Sequence, residues 1–143
     1  MANIVPDSFK KELLLGVHNF STSAGNTFKL ALYTTVSGFS ATGTTAYTTT
    51  NEASGTGYSA AGAALTNTSV SVVDNVAVAD FSDLTFSSST ITASAALIYN
   101  DTATDDPAVV VLDFGSDQTS TNGDFTIEFP DASSSTTAIL RIA

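Results

Sequence analysis

The sequence predicts a mainly β, antiparallel sandwich or jelly-roll-like domain preceded by one short N-terminal α-helix. Three observations carry that prediction. Ser and Thr number 42 in 143 residues, against 18 charged residues, while 43% of the chain is hydrophobic. Apolar segments rich in β-branched and aromatic residues recur between short polar connectors of Gly, Asn and Asp. No alternation of strand and helix patterns, as a parallel sheet would require, is present. The length fits one compact domain, and the hydrophobic content sets the chain apart from a disordered acidic tail.

The helix is predicted over residues 7–18. Phe9, Leu13 and Val17 recur every fourth position with Lys10, Lys11 and Glu12 between them, which places three large apolar groups on one face. Asp7 after Pro6 is the expected N-cap, and Gly16 with Asn19 supplies the stop. A helix this short does not persist alone in water, so its apolar face must pack on the domain or on a neighbouring subunit. The expected organisation is therefore a helical arm, residues 1–20, and a single β domain, residues 21–143, able to fold without the arm.

From Phe28 the period changes to two, with Phe28, Leu30 and Leu32 alternating against Lys29, Ala31 and Tyr33. Further strands are expected at 69–73, 76–81, 90–99, 107–114, 124–129 and 136–142. Asp74-Asn75 reads as a two-residue hairpin turn, and Asp101–Asp106 and Gly115–Gly123 read as polar connectors. Segments 90–99 and 107–114 carry apolar side chains on both faces, so each needs two packing partners, the core and either a second layer or another subunit. Residues 34–68 form a long Thr/Ser/Gly/Ala excursion whose expected anchors are Tyr47 and Tyr58. Such an element tends to serve interaction.

The net charge of -10, with Lys10, Lys11, Lys29 and Arg141 as the whole basic complement, argues against direct nucleic-acid binding, which relies on Lys and Arg at phosphates. The absence of cysteine removes disulfides, thiolate metal sites and cysteine nucleophiles. No apolar run reaches bilayer-spanning length and the N-terminus lacks the pattern of a signal peptide, so neither membrane insertion nor secretion is expected. The three Asn-x-Ser/Thr matches, at Asn19, Asn67 and Asn100, read as chance in a chain this rich in Ser and Thr.

No catalytic, cofactor or metal residues are assigned. His18 is the only histidine, and no G-x-S-x-G elbow accompanies it, so it reads as a helix-terminal residue facing the dipole or solvent. Gly55-Thr56-Gly57 with Gly62 fails the dinucleotide pattern because Ala60 stands where glycine is required, and it reads as a flexible loop. Asp101, Asp105 and Asp106, like Asp113, Asp117, Asn122 and Asp124, could offer oxygen ligands, but neither set follows a calcium-loop spacing, and solvated turns are the plainer reading. Glu52 and Glu128 have no spacing that pairs them for acid–base chemistry.

The strings SFKKELLLGVHNF, TFKLALYT, AYTTTNEASGTGYSAAGAAL, ALIYN, AVVVLDFGSD, FTIEFP and AILRIA, in that order, resemble a family of small virion structural proteins of tailed bacteriophages. The resemblance covers essentially the whole chain and is most distinctive from Tyr47 to Leu65 and at Leu112-Asp113-Phe114-Gly115. It implies no catalytic or metal residue. It implies a many-copy virion component, made in the host cytoplasm, that decorates and cements the capsid or belongs to the tail.

The leading expectation is a homotrimeric cement protein on the outer capsid surface, with the major capsid protein and its own copies as partners. Phe9, Lys10, Lys11, Leu13 and Val17 would form the contact, together with the excursion. The alternative is a tail fibre, baseplate or knob component binding a host glycan through Tyr47, Asn51 and Tyr58, since tyrosine offers an apolar plate with a polar end. An envelope-degrading hydrolase would have to rely on His18 or Glu128.

Overall fold

The computed structural model describes residues 2–143 and shows a mainly β protein, two antiparallel sheets with one short helix. The helix α1 is Asp7–Leu14. The strands are β1 (Phe28–Tyr33), β2 (Ala63–Ala64), β3 (Asn67–Val73), β4 (Val76–Phe81), β5 (Leu84–Asn100), β6 (Ala108–Ile127) and β7 (Leu140–Ile142). One sheet has the order β2-β1-β5-β6 and the other β3-β4-β7.

The main core lies between the sheets. Phe28, Leu30 and Leu32 from β1, Ile98 and Ala96 from β5 and Val110 and Leu112 from β6 meet Ala79 and Phe81 from β4 and Leu140 from β7. Alternation along β1 thus produces the expected buried face. Phe20 stacks on Phe28 with ring centroids 4.3 Å apart, and Phe81 meets both edge-on.

The helix is shorter than the periodicity predicts. It ends at Leu14, Gly16 turns left-handed at φ 70°, and Val17 lies half-buried outside it. Asp7 is the first helical residue and not the cap: Pro6 takes that place without a side-chain bond, and the Asp7 carboxylate pairs with Lys10 at 2.7 Å. The apolar face packs on the chain's own core through buried Phe9 and half-buried Leu13. Upstream, Ile4 pairs antiparallel with Val111, so the first residues cap the β6 edge of the larger sheet.

The hairpin β5–β6 corrects the expected connector at Gly115–Gly123, which is strand. Thr92 faces Thr119, and Ile91 faces Ser120, inside one long ladder interrupted by register shifts. Hydroxyl pairs replace apolar alternation here: Thr85 to Thr126 at 2.9 Å, Thr92 to Thr119 at 3.0 Å, and the buried pair Ser89 to Ser120 at 2.7 Å. Cross-strand Thr and Ser bonds of this kind stabilise a sheet without a hydrophobic signature. The expected C-terminal strand likewise shrinks to β7, because residues 131–138 turn back, with Ala132 and Ala138 covering Val78 on the outer side of the smaller sheet.

The outer face of the larger sheet is apolar as well, formed by Ala31, Tyr33, Ala95, Leu97, Tyr99 and Val111. Its cover is the chain's own excursion, through Val36, Phe39 and Tyr47, together with Ile4. The second partner that the two-faced strands require is therefore internal.

Candidate functional site

Three places gather the chemistry-bearing side chains: the underside of the excursion, a buried histidine cluster, and an apolar groove beside the helix.

In the excursion, Glu52 is a hub. The Tyr47 hydroxyl donates to Oε2 at 2.6 Å, and the Tyr58 hydroxyl and the Ala61 amide donate to Oε1 at 2.7 Å each. The Tyr33 hydroxyl donates to the Thr48 carbonyl and the Tyr99 hydroxyl to the Ala61 carbonyl, both at 2.7 Å, while the Tyr47 and Tyr99 rings stack at 4.9 Å. All four tyrosines of the chain thus pin this layer to the sheet. Burial, followed by the Glu52 hydrogen bond, pushes the Tyr47 phenol up to about 12 from its ordinary 10.0. Burial raises Tyr58, Tyr33 and Tyr99 as well, with Glu52 assisting at the first two and Asp101 at the third.

The glycines that imitate a phosphate loop have a packing role. Gly62, at φ 71°, lies so close to β1 that a Cβ would collide with the Leu30 carbonyl oxygen, and a Cβ at Gly55 would collide with that of Thr90. Only glycine allows the excursion to approach the strands this closely.

His18 is not the solvent-facing helix terminus expected from its position. Its side chain is fully buried. Its ring lies 5.0 Å from that of Phe9 and 6.3 Å from those of Phe20 and Phe28. The Asn100 Oδ1 accepts from the amides of Thr102 and Ala103, which orients its Nδ2 toward His18 Nδ1 at 3.1 Å. That orientation assigns the ring proton to Nε2, which donates to Glu12 Oε2 at 2.8 Å. Asn100 Nδ2 also reaches Asn26 Oδ1 at 3.0 Å. Both ring nitrogens are occupied and no hydroxyl meets either, so the cluster ties the N-terminal segment to the end of β5.

The acidic connectors are dispersed. Asp101 pairs with Lys29 at 3.0 Å, Asp113 Oδ1 accepts from the Gly115 amide, and Asp124 Oδ1 accepts from the Ser88 amide. Among the described residues no three His, Asp or Glu side chains converge to hold a metal ion, and no helix is long and apolar enough to cross a membrane.

The groove has a volume of about 230 Å³ and is framed by Val5, Phe9 and Leu13 on one side and Val70, Leu140 and Ile142 on the other. Among the described residues six large apolar side chains are exposed: Val5, Leu14, Leu15, Val70, Val72 and Ile142. Val5, Val70 and Ile142 line the groove. Val72 continues the Val70 face of β3, and Leu14 and Leu15 follow Leu13. Sequence reasoning finds Phe9 and Leu13 here and predicts the strand at 69–73, but gives that strand no part in a contact surface, whereas Val70 of β3 lines the groove.

The residues expected to act together are thus separated. Phe9 is core, Leu13 borders core and groove, Val17 is half-buried, and Lys10 and Lys11 are exposed on the helix. Tyr47 and Tyr58 commit their hydroxyls inward, whereas Asn51, exposed at φ 62°, lines a separate polar cleft of about 290 Å³ with Phe39, Thr48 and Thr50. Comparison with protein-family models, curated proteins and solved structures finds no match to this chain.

Proposed function

We propose that the chain is a structural protein of a tailed-phage virion that decorates the capsid and stabilises it by contact across subunit joints. The observation that carries the contact role is the concentration of exposed apolar side chains around one groove on a domain of net charge -10. Exposed apolar clusters of this kind mark interaction surfaces, and many identical weak contacts become strong when repeated over a shell. Assignment to a virion rests on the ordered sequence strings and not on the fold. Strand faces do not argue for a homotrimer, because both faces of the larger sheet are covered within one chain. Three copies at a shell position would have to meet through the groove or the excursion's outer surface.

The test is immunogold labelling of purified particles together with addition of the protein to undecorated heads. Head labelling and saturable head binding are expected. Label confined to the tail tip would favour the alternative, a host-glycan binder, for which the Asn51 cleft with its Phe39 plate and threonine hydroxyls is the specific supporting feature. A protein found on no particle would refute both.

A further inference from the structure

The cleft beside Asn51 carries polar groups that the fold leaves unused. It has a volume of about 290 Å³, and Phe39, Thr44, Thr48, Thr50 and Asn51 are among the residues that line it. Thr44 is only 6% exposed, and its Oγ1 accepts from the Ser40 amide at 2.9 Å, yet its hydroxyl proton meets no acceptor among the described residues. The Asn51 carboxamide and the Thr50 hydroxyl are likewise without a partner among the described residues, as are the backbone amides of Thr48 and Asn51. Buried polar groups are ordinarily paired, and free donors and acceptors gathered on one concavity are the mark of a ligand site.

The walls of the cleft are held from beneath. The Tyr33 hydroxyl donates to the Thr48 carbonyl at 2.7 Å, and Thr34 donates to the Asn51 carbonyl from its amide at 2.9 Å and its hydroxyl at 3.2 Å. The Phe39 ring stands edge-on to Tyr33 at 4.9 Å. A site fixed in this way loses little ordering entropy on binding. Half-buried Phe39 offers an apolar surface, and the Thr and Asn side chains beside it each both donate and accept. That pairing matches a pyranose ring, which presents an apolar C–H face and a rim of hydroxyls that also donate and accept. The volume lies at the small end of ligand sites, enough for about one ring. Charge narrows the class further. No ionisable residue lines the cleft, and the neighbouring Glu52 commits both carboxylate oxygens to Tyr47, Tyr58 and Ala61. No cation is there to pair with a phosphate or a sugar acid.

We propose that the Asn51 cleft binds a neutral hexopyranose, one face of the sugar lying on Phe39 and its hydroxyls bonding to Thr44, Thr50 and Asn51. The assignment rests on the cleft that supports the host-glycan alternative, and not on where the protein sits in a particle. Head labelling would leave it standing, and a failure to bind sugar would leave capsid decoration standing.

The test is titration of isotope-labelled protein with the methyl pyranosides of glucose, mannose, galactose and N-acetylglucosamine, read by amide chemical shifts. Saturable shifts at Thr44, Thr48, Thr50 and Asn51 are expected with at least one of these sugars at millimolar concentration, while glucuronic acid and N-acetylneuraminic acid give none. Asn51→Gly suits the left-handed backbone at φ 62° and removes only the carboxamide, and it should weaken binding by about tenfold. Thr50→Val removes one hydroxyl at an exposed position and should weaken it by a similar factor. Both side chains are exposed and unpaired, so circular dichroism and Tm should stay those of the unmodified protein. Absence of shifts with every neutral glycoside, shifts centred away from the cleft, an equal response to the sugar acids, or affinity unchanged in both variants would each overturn the proposal.

Discussion

Removing one hydroxyl, by Tyr58→Phe, tests whether the excursion is part of the folded core or a loop laid over it. In an antiparallel ladder the N–H and C=O of a residue point to the same side. On the side of β1 away from β5, Phe28 and Leu32 accept from the amides of Leu65 and Ala53, and the Thr34 amide donates to Asn51. The Leu32 amide takes no excursion carbonyl; the Tyr58 hydroxyl serves instead, accepting from it at 2.9 Å while donating to Glu52. Leu32 has no solvent exposure, so phenylalanine would leave its amide without a partner.

An unsatisfied buried donor costs about 1–3 kcal/mol and a lost bond to a charged acceptor about 1.5–3. Glu52 keeps the Ala61 amide and the Tyr47 hydroxyl, which favours the lower part of the sum, about 2.5–4 kcal/mol. With an unfolding entropy near 2.1 cal/mol/K per residue, 143 residues give about 0.3 kcal/mol/K, so Tm should fall by about 8–13 °C. Tyr47→Phe loses one bond on a half-buried ring and should cost about 1 kcal/mol. Calorimetry of both variants, with urea titration to confirm an unchanged m-value, decides the matter. A Tyr58→Phe loss no larger than that of Tyr47→Phe would refute the reasoning, because it would mean that water reaches the Leu32 amide.

Phe9→Ala should destabilise by about 3–5 kcal/mol in chemical denaturation, since the ring lies in the main core against His18 and Phe20; a loss under about 1 kcal/mol would restore the picture of a separable arm. Gly62→Ala should cost about 2–4 kcal/mol, combining left-handed strain with a backbone collision, and clearly more than Gly16→Ala, which has nearly the same φ and open space around it. All four tyrosine phenols are raised in the folded state, so their contribution to stability is complete below pH 10 and is lost as pH rises through the folded values, about 12 for Tyr47. Tm from pH 8 to 12 should therefore be flat at first and decline from about pH 10, and Tyr58→Phe should flatten that decline.

The legible parts of the sequence are those with a regular local pattern. Phe28, Leu30 and Leu32 alternate with Lys29, Ala31 and Tyr33 as a strand requires, and the Asp74-Asn75 turn sits where the sequence places it, with both residues at positive φ. The strand through Gly115–Gly123 was not legible because its cross-strand partners are hydroxyls, and Thr and Ser serve loops as readily as ladders. The end of α1 was misread because Val17 fits the helical spacing although Gly16 has already turned the chain. His18 could not be placed, since its partners Glu12 and Asn100 lie 6 and 82 residues away and no local pattern joins them.

The two-faced strands show why a sequence pattern can specify a need without naming what meets it. Leu97 and Tyr99 on one side of β5 and Ala96 and Ile98 on the other require cover on both faces, and a neighbouring subunit would serve as well as a second layer. What decides between them is the excursion, whose large apolar groups are too sparse to read as a layer. Val36, Phe39 and Tyr47 nevertheless suffice, because tyrosine hydroxyls and the Glu52 carboxylate hold the layer down where further apolar burial would ordinarily be needed. The two-faced strands then need no neighbouring subunit. What stays open lies on the smaller sheet, where β3 exposes both Val70 and Val72 and pairs on one side only.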